Sequence, residues 1–298
     1  MSHDHHHHHH TNNKKVLMAA LALISLLVIA EVIGGIMTNS LALLADATHM
    51  LSDFFSIGLA LLAFKIGERA ASKSKTFGYK RFEILAALVN GVILIGISAF
   101  IIWHAIERFF SPPEVAGGGV LMVASFAIVI NVLIAWIFMR GGDVKGNLNL
   151  QGAFFHVLGD ILSTIGVIIS ALLVIFFNWT YADPIVSMIV ALLILVTGIR
   201  IAKKSIHVLM EGKPSGISLA RIEEQLLALP NVHAIHDVHV WSITSDFPAF
   251  SGHLVVDREA NRDELLQTST NLLKNEFNIP HATIQIEGED WNCTSRCE

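Results

Sequence analysis

Six long apolar stretches, at about residues 15–37, 41–64, 82–105, 118–139, 153–176 and 184–202, constrain this chain more than any other feature. Each holds about 19–24 residues, enough for a helix to cross a hydrocarbon core near 30 Å. In lipid every backbone N–H and C=O must be satisfied within its own segment, so such runs fold as helices. Composition agrees: 53% of the residues are hydrophobic and 15% charged, against about 25% charged in an ordinary soluble domain. A single soluble globule and a disordered chain are both excluded.

The charges are unevenly placed. Residues 1–210 carry a formal balance of +3 and residues 211–298 one of −8. Neither part has the basic face a nucleic-acid binder needs. Lys14 and Lys15 precede the first span; Arg69, Lys73, Lys75, Lys80 and Arg81 crowd the link between the second and third; Arg140 and Lys145 lie between the fourth and fifth; Arg200, Lys203 and Lys204 follow the sixth. The opposite-side links carry only Arg108. The positive-inside rule then puts both termini in the cytoplasm. The first run, beginning near Val16, is too long for a signal-peptide core.

The expected organisation is a His-rich tail over residues 1–14, a six-helix transmembrane domain over 15–210, and a cytosolic regulatory and dimerisation domain over 211–298. The His5–His10 run reads equally as an appended tag or as a native metal-collecting segment. In the last part, Ser218–Leu229 has helical spacing with Ser218 as N-cap. Val238–Thr244 and Gly252–Val256 alternate like strands, Asn261–Phe277 is amphipathic, and Thr283–Glu287 alternates again. The order α-β-β-α-β predicts a small α+β domain, metallochaperone-like, with helices on one face of its sheet.

Chemistry concentrates in two spans. The second contains Asp46, His49 and Asp53, and the fifth contains His156 and Asp160. His49/Asp53 and His156/Asp160 are both His-x-x-x-Asp, so each pair projects a nitrogen and an oxygen from one helix face. Facing each other, two His and two Asp form a tetrahedral set suited to Zn2+. Ionisable groups at membrane depth are costly, and two matched pairs are hard to explain as packing. Asp46, one turn before His49, either lines the same pathway or sits near the membrane surface. Glu31, Asn90 and Asn131 are expected to make helix–helix hydrogen bonds.

An intramembrane metalloprotease needs a general base beside the metal, and no H-E-x-x-H motif is present. The chain therefore does not read as an enzyme. A transporter of Cd2+, Co2+, Ni2+ or Fe2+ is a nearer alternative, because affinity order alone does not select zinc. A membrane zinc sensor that does not transport is another, but it leaves the intramembrane quartet unexplained.

The residues SLALLADATHMLSD, FGYKRFEILAALVNG, FFHVLGD, YADPIVS, LMEGKP and HDVHVWSIT resemble the cation diffusion facilitators, both bacterial zinc-efflux members and vertebrate vesicular zinc transporters. The resemblance runs from about Lys14 to the C-terminus and implies a homodimer in a lipid membrane; the short loops and the lack of a sorting signal point to a bacterial inner membrane. It implies a Zn2+/proton antiporter that exports cytoplasmic zinc by alternating access through His49, Asp53, His156 and Asp160. It also implies a charge pair at the dimer waist, matched here by Arg81 and Glu211.

Vertebrate-like members hold regulatory zinc at positions matching His236, His253, His281 and Glu287, with a C-x-x-C pair. Cys293 and Cys297 are spaced C-x-x-x-C instead. His239 and His233 are further candidates. Simple alternation through HDVHVW predicts that His236 and His239 point to opposite faces of a strand.

Overall fold

The computed structural model describes residues 8–67, 71–141, 148–244 and 246–288; within its helices the side chains of some residues, among them 8–21, Asp53 and 148–153, lie outside the description. Six long helices come first: α1 (His8–Thr38), α2 (Leu41–Gly67), α3 (Phe82–Phe110), α4 (Gly117–Gly141), α5 (Leu148–Phe177) and α6 (Ala182–Leu209). Among the described residues, four stretches are long and apolar enough to cross a membrane: Phe82–Phe110, Gly117–Ile137, His156–Phe177 and Ala182–Leu209. In α1 the described apolar stretch, Ala22–Thr38, is shorter.

The outer and inner faces of these helices are inverted relative to a soluble bundle. Ile36, Phe110, Leu162 and Leu193 are exposed, while Glu31, Asp46, Asn131, Asp160 and Thr164 are buried. Apolar exposure on this scale fits hydrocarbon as the solvent.

The chain divides into two compact units, residues 1–57 with 90–200 and residues 58–89 with 201–298. In the first, α4 packs against α1 and α5. Leu27, Val28, Met50, Ala127, Ile130, Ile134 and Val157 form one apolar cluster there. Ala42, Leu43, Val120, Ala124, Val167 and Ala171 form a second. Two glycines permit the α1–α4 approach: a Cβ on Gly34 would lie 2.7 Å from Val123 Cγ2, and one on Gly119 2.6 Å from Thr38 Cγ2. Small residues at such contacts let backbones approach closely in lipid.

The start of α2 is tied to α6. Asn39 turns the chain with φ of 54°. Asp183 then accepts hydrogen bonds from the Ser40 hydroxyl (2.5 Å) and from the amides of Leu41 (2.8 Å) and Ala42 (3.3 Å). These amides have no intrahelical acceptor, and a carboxylate there also meets the positive end of the helix dipole. Arg108 closes the corner, donating to the carbonyl and side-chain oxygens of Asn39 at 2.7 and 3.0 Å and lying 3.4 Å from Asp183 Oδ2.

The second unit contains α7 (Leu219–Leu227), β1 (Val232–Thr244), β2 (Phe247–Val256), α8 (Arg262–Phe277) and β3 (His281–Gly288), the α-β-β-α-β order expected from sequence. β1 pairs antiparallel with β2, and β2 parallel with β3. Ser218 caps α7 and Asn261 caps α8. One sheet face packs on the helices through Ile222, Leu226, Val240, Phe250, Leu254, Leu265 and Leu273. β1 and β2 begin earlier than alternation predicted, at Val232 and Phe247, and form a hairpin. A β-bulge interrupts their pairing: His236 pairs with His253 and His239 with Ser251, so Asp237 and Val238 of β1 face only Gly252 of β2. Asp237, in the bulge, takes φ of 52°. The extra residue breaks the period-two pattern on which the sequence reading of β1 relied.

Candidate metal centre

Helices α2 and α5 bring His49, His156 and Asp160 together, with one donor atom from each lying within 4.8 Å of the others. His49 Nδ1 is 4.0 Å from Asp160 Oδ1, and His156 Nε2 is 3.9 Å from Asp160 Oδ2. The imidazoles stack, with centroids 5.7 Å apart and planes at 24°. A zinc tetrahedron with bonds of about 2.0 Å has edges of about 3.3 Å, so a modest contraction would bring these donors to coordination distance. Asp53 occupies α2 one turn beyond His49; its side chain lies outside the described residues.

Asp46 is 2% exposed, buried among the helices. Its Oδ1 accepts the Ser163 hydroxyl at 2.7 Å, and its Oδ2 lies 3.3 Å from Thr164 Oγ1. Thr164 Oγ1 is also 2.8 Å from the Asp160 carbonyl, so its one proton chooses between the two acceptors. Asn131 of α4 donates toward Thr164 at 3.5 Å, the helix–helix bond expected of it. Glu31 departs from its expected hydrogen bond. It is fully buried, and among the described residues neither carboxylate oxygen has a hydrogen-bond partner. Sequence reasoning underweighted it; the available signal was a lone acid in an otherwise uncharged run.

A second cluster lies on the sheet face opposite the helices. His236, His253 and Glu287 place donor atoms within 4.8 Å of one another. Glu287 Oε1 is 2.9 Å from His253 Nδ1, and its Oε2 is 3.4 Å from His236 Nε2. Glu287 is 3% exposed, and Glu287 Oε2 and His236 Nε2 are buried without a hydrogen bond among the described residues. Two buried donors converging without a proton bond between them fit a Zn2+ ion, with a nitrogen–nitrogen–oxygen donor set.

The bulge changes the faces here. Because His236 and His239 pair with His253 and Ser251, two apart on β2, they point to the same face, correcting the simple alternation. Asp237 stands between, 3.0 Å from His239 Nε2 and 3.7 Å from His253 Nε2. Gln285 donates to Glu287 Oε1 at 2.7 Å. Neither Asp237 nor Gln285 was singled out from sequence; position 285 shares the strand face of 287 and was readable by alternation.

The structure does not bring His281 to this group. It opens β3, six residues before Glu287, or about 20 Å along the strand. Its ring meets Phe77 edge-on with centroids 5.7 Å apart, and Phe247 at 6.1 Å. His233 is also apart, 2.8 Å from Asp257 Oδ1. Cys293 and Cys297 lie outside the described residues. Arg81 and Glu211 meet at 3.2 Å within one chain, both side chains substantially exposed, a setting in which an ion pair contributes about 0–1 kcal/mol.

Residues 17–210 match the cation efflux transmembrane domain, and residues 214–289 the cation efflux protein cytoplasmic domain. The chain is 49% identical over 267 residues to a Bacillus subtilis protein named cadmium, cobalt and zinc/H+-K+ antiporter, covering 89% of this chain and 86% of that one. It is 40% identical over 287 residues to the metal cation efflux system protein CzcD of Cupriavidus metallidurans, covering 96% and 89% respectively. It is 40% identical over 260 residues to zinc transporter ZitB of Escherichia coli, covering 87% and 82%. With both domains matched in order and relatives aligned over most of their length, the chain belongs to the cation efflux family.

Proposed function

We propose that this protein exports Zn2+ from the cytoplasm across a bacterial inner membrane in exchange for protons, as a homodimer with six spans per protomer and both termini inside. The observation that carries this reading is the convergence of His49, His156 and Asp160 from two helices of an apolar bundle, with Asp53 one turn from His49. The names of the relatives, which include zinc, cadmium and cobalt among cargoes and protons and potassium among counter-ions, support it. The match to a cytoplasmic domain named for dimerisation supports the homodimer.

The residues account for the exchange. Zinc binds neutral imidazole and ionised carboxylate, so metal and protons compete for the same atoms. Two aspartates and one Zn2+ are neutral together. When the metal leaves, two negative charges remain in a poorly solvated place, and arriving protons restore neutrality. Alternating access then needs only that protons reach the quartet from outside and zinc from the cytoplasm.

In the cytosolic domain His236, His253 and Glu287 would hold a regulatory Zn2+, which when bound supplies a cross-link between strands β1, β2 and β3. Asp237 orients His253 and His239 from the bulge, and Gln285 holds one Glu287 oxygen. This arrangement would bias the transport cycle by bringing paired cytosolic domains together.

The test is purified protein in vesicles carrying a zinc dye and a pH dye. Zinc entry accompanied by proton exit, accelerated by an acid interior, is the expected result. Zinc entry with no proton movement would leave efflux standing and overturn the antiport. Binding without flux under either gradient would favour a sensor.

A further inference from the structure

Helix α2 meets α5 at two levels one helical turn apart. At the first, His49 Nδ1 lies 4.0 Å from Asp160 Oδ1, within the metal centre. At the second, Asp46 Oδ1 accepts the Ser163 hydroxyl at 2.7 Å, and Asp46 Oδ2 lies 3.3 Å from Thr164 Oγ1. Asp46 precedes His49 by three residues, and Ser163 and Thr164 follow Asp160 by three and four. The second level therefore stands about 5 Å from the first along both helices. Among the described residues the converging metal donors are His49, His156 and Asp160, without Asp46.

The second level has the geometry of a clamp. Ser163 and Thr164 are neighbours in sequence, so their side chains leave α5 about 100° apart. A carboxylate that meets both resists rotation of α5 in either direction and fixes its height beside α2. Thr164 Oγ1 is also 2.8 Å from the Asp160 carbonyl, which ties the clamp to the turn that carries the ligand. The Asn131 amide of α4 reaches Thr164 from another side, at 3.5 Å. Metal coordination makes such control necessary, because ligand distances must be right within about 0.2 Å. A donor carried about 5–6 Å from a helix axis moves by about 0.5 Å when the helix turns by about 5°. A small rotation of α5 would thus take Asp160 away from a metal held by His49. Asp46 and Thr164 are 2% and 1% exposed, so water does not replace either partner cheaply.

We propose that Asp46 is a positioning residue for the metal centre: through Ser163 and Thr164 it sets the rotation and height of α5, and so brings Asp160 to the metal that His49 holds. The clamp rests on the reading of His49, Asp53, His156 and Asp160 as the metal site. It acts by hydrogen-bond geometry and not by the charge of Asp46. Asp46→Asn therefore keeps it, because the amide oxygen accepts one hydroxyl proton and the amide N–H donates to the other hydroxyl oxygen.

The experiment is Co2+ titration of purified, metal-free full-length protein, read by the visible absorption of tetrahedral cobalt. Subtracting the same titration of His49→Ala counts the intramembrane centre alone. Ser163→Ala should weaken this binding by at least ~10-fold, and Thr164→Val severalfold. Asp46→Ala should match Ser163→Ala, and the two together should lose no more than either alone, because both remove one linkage. Asp46→Asn should keep near-wild-type affinity. If Ser163→Ala is not monodisperse, Asp46→Ala and Thr164→Val supply the readout. Wild-type affinity in Ser163→Ala or Asp46→Ala overturns the clamp, as do additive losses in the double variant. Binding by Asp46→Asn as weak as that of Asp46→Ala also overturns it, because the charge and not the linkage would then matter. A wild type without His49-dependent cobalt absorption overturns the metal centre itself, a result distinct from each of these.

Discussion

The Asp183 carboxylate accepts the amide N–H of Leu41 at 2.8 Å, across 142 residues of chain. This bond, with those from Ala42 and Ser40, fixes the first turn of α2 against the first turn of α6. Helix α2 carries His49 of the candidate metal centre, so the height and rotation of that ligand depend on a residue outside the cluster.

Replacing Asp183 by Asn keeps the shape and removes the charge. One Asn oxygen can still accept an α2 amide, but Arg108 loses its ionic partner and the second acceptor becomes a donor. Hydrogen bonds to charged groups contribute about 1.5–3 kcal/mol each. We predict a lowered midpoint of thermal unfolding in detergent and severalfold slower zinc flux. An unchanged midpoint and flux would mean that the α2 terminus is held by other groups.

Metal selectivity should follow donor type. Imidazole favours zinc, whereas carboxylate accepts harder ions such as Mn2+. We predict that His49→Asp lets Mn2+ inhibit zinc uptake at ~10-fold lower concentration than in the wild type. Competition between the two metals in vesicles measures this. An unaltered Mn2+ inhibition curve would remove His49 from the selectivity-determining position.

Much of this was legible in the sequence, because hydrophobic length and i, i+4 spacing are local signals. The apolar runs predicted helices, and His49/Asp53 and His156/Asp160 announced themselves by spacing. What was not legible depended on distant partners. Asp183 appeared in the sequence only within YADPIVS, and nothing local revealed that it caps α2. Glu31 looked like a helix–helix hydrogen bonder because sequence shows a polar group in a span but not its neighbours in space; among the described residues neither of its oxygens is bonded. The HDVHVW strand misled through its bulge: one inserted residue at Asp237 reversed the facing of everything after it. His281 belongs to the same strand face as Glu287, and only the axial distance separates them.

The cytosolic cluster should bind zinc independently of the quartet. We predict that Glu287→Gln in the full-length chain raises the dissociation constant of the cytosolic zinc by at least ~10-fold. Flux at saturating zinc should persist, and activation at low zinc should be lost. Binding in both proteins should weaken as pH falls, because metal ligands must shed protons to bind. Zinc titration of the purified protein reports the first effect. Equal affinity in wild type and Glu287→Gln would assign the carboxylate a purely structural part.

The most direct measurement compares zinc accumulation by vesicles containing wild-type protein with that by vesicles containing Asp160→Asn. Asp160 is the carboxylate that both imidazoles approach, at 4.0 and 3.9 Å. The amide keeps its volume and removes its charge. Transport should fall to the level of protein-free vesicles, while the variant remains monodisperse and keeps its cytosolic zinc. Wild-type accumulation by Asp160→Asn would contradict the account, because zinc would then be crossing by a route that does not use this centre.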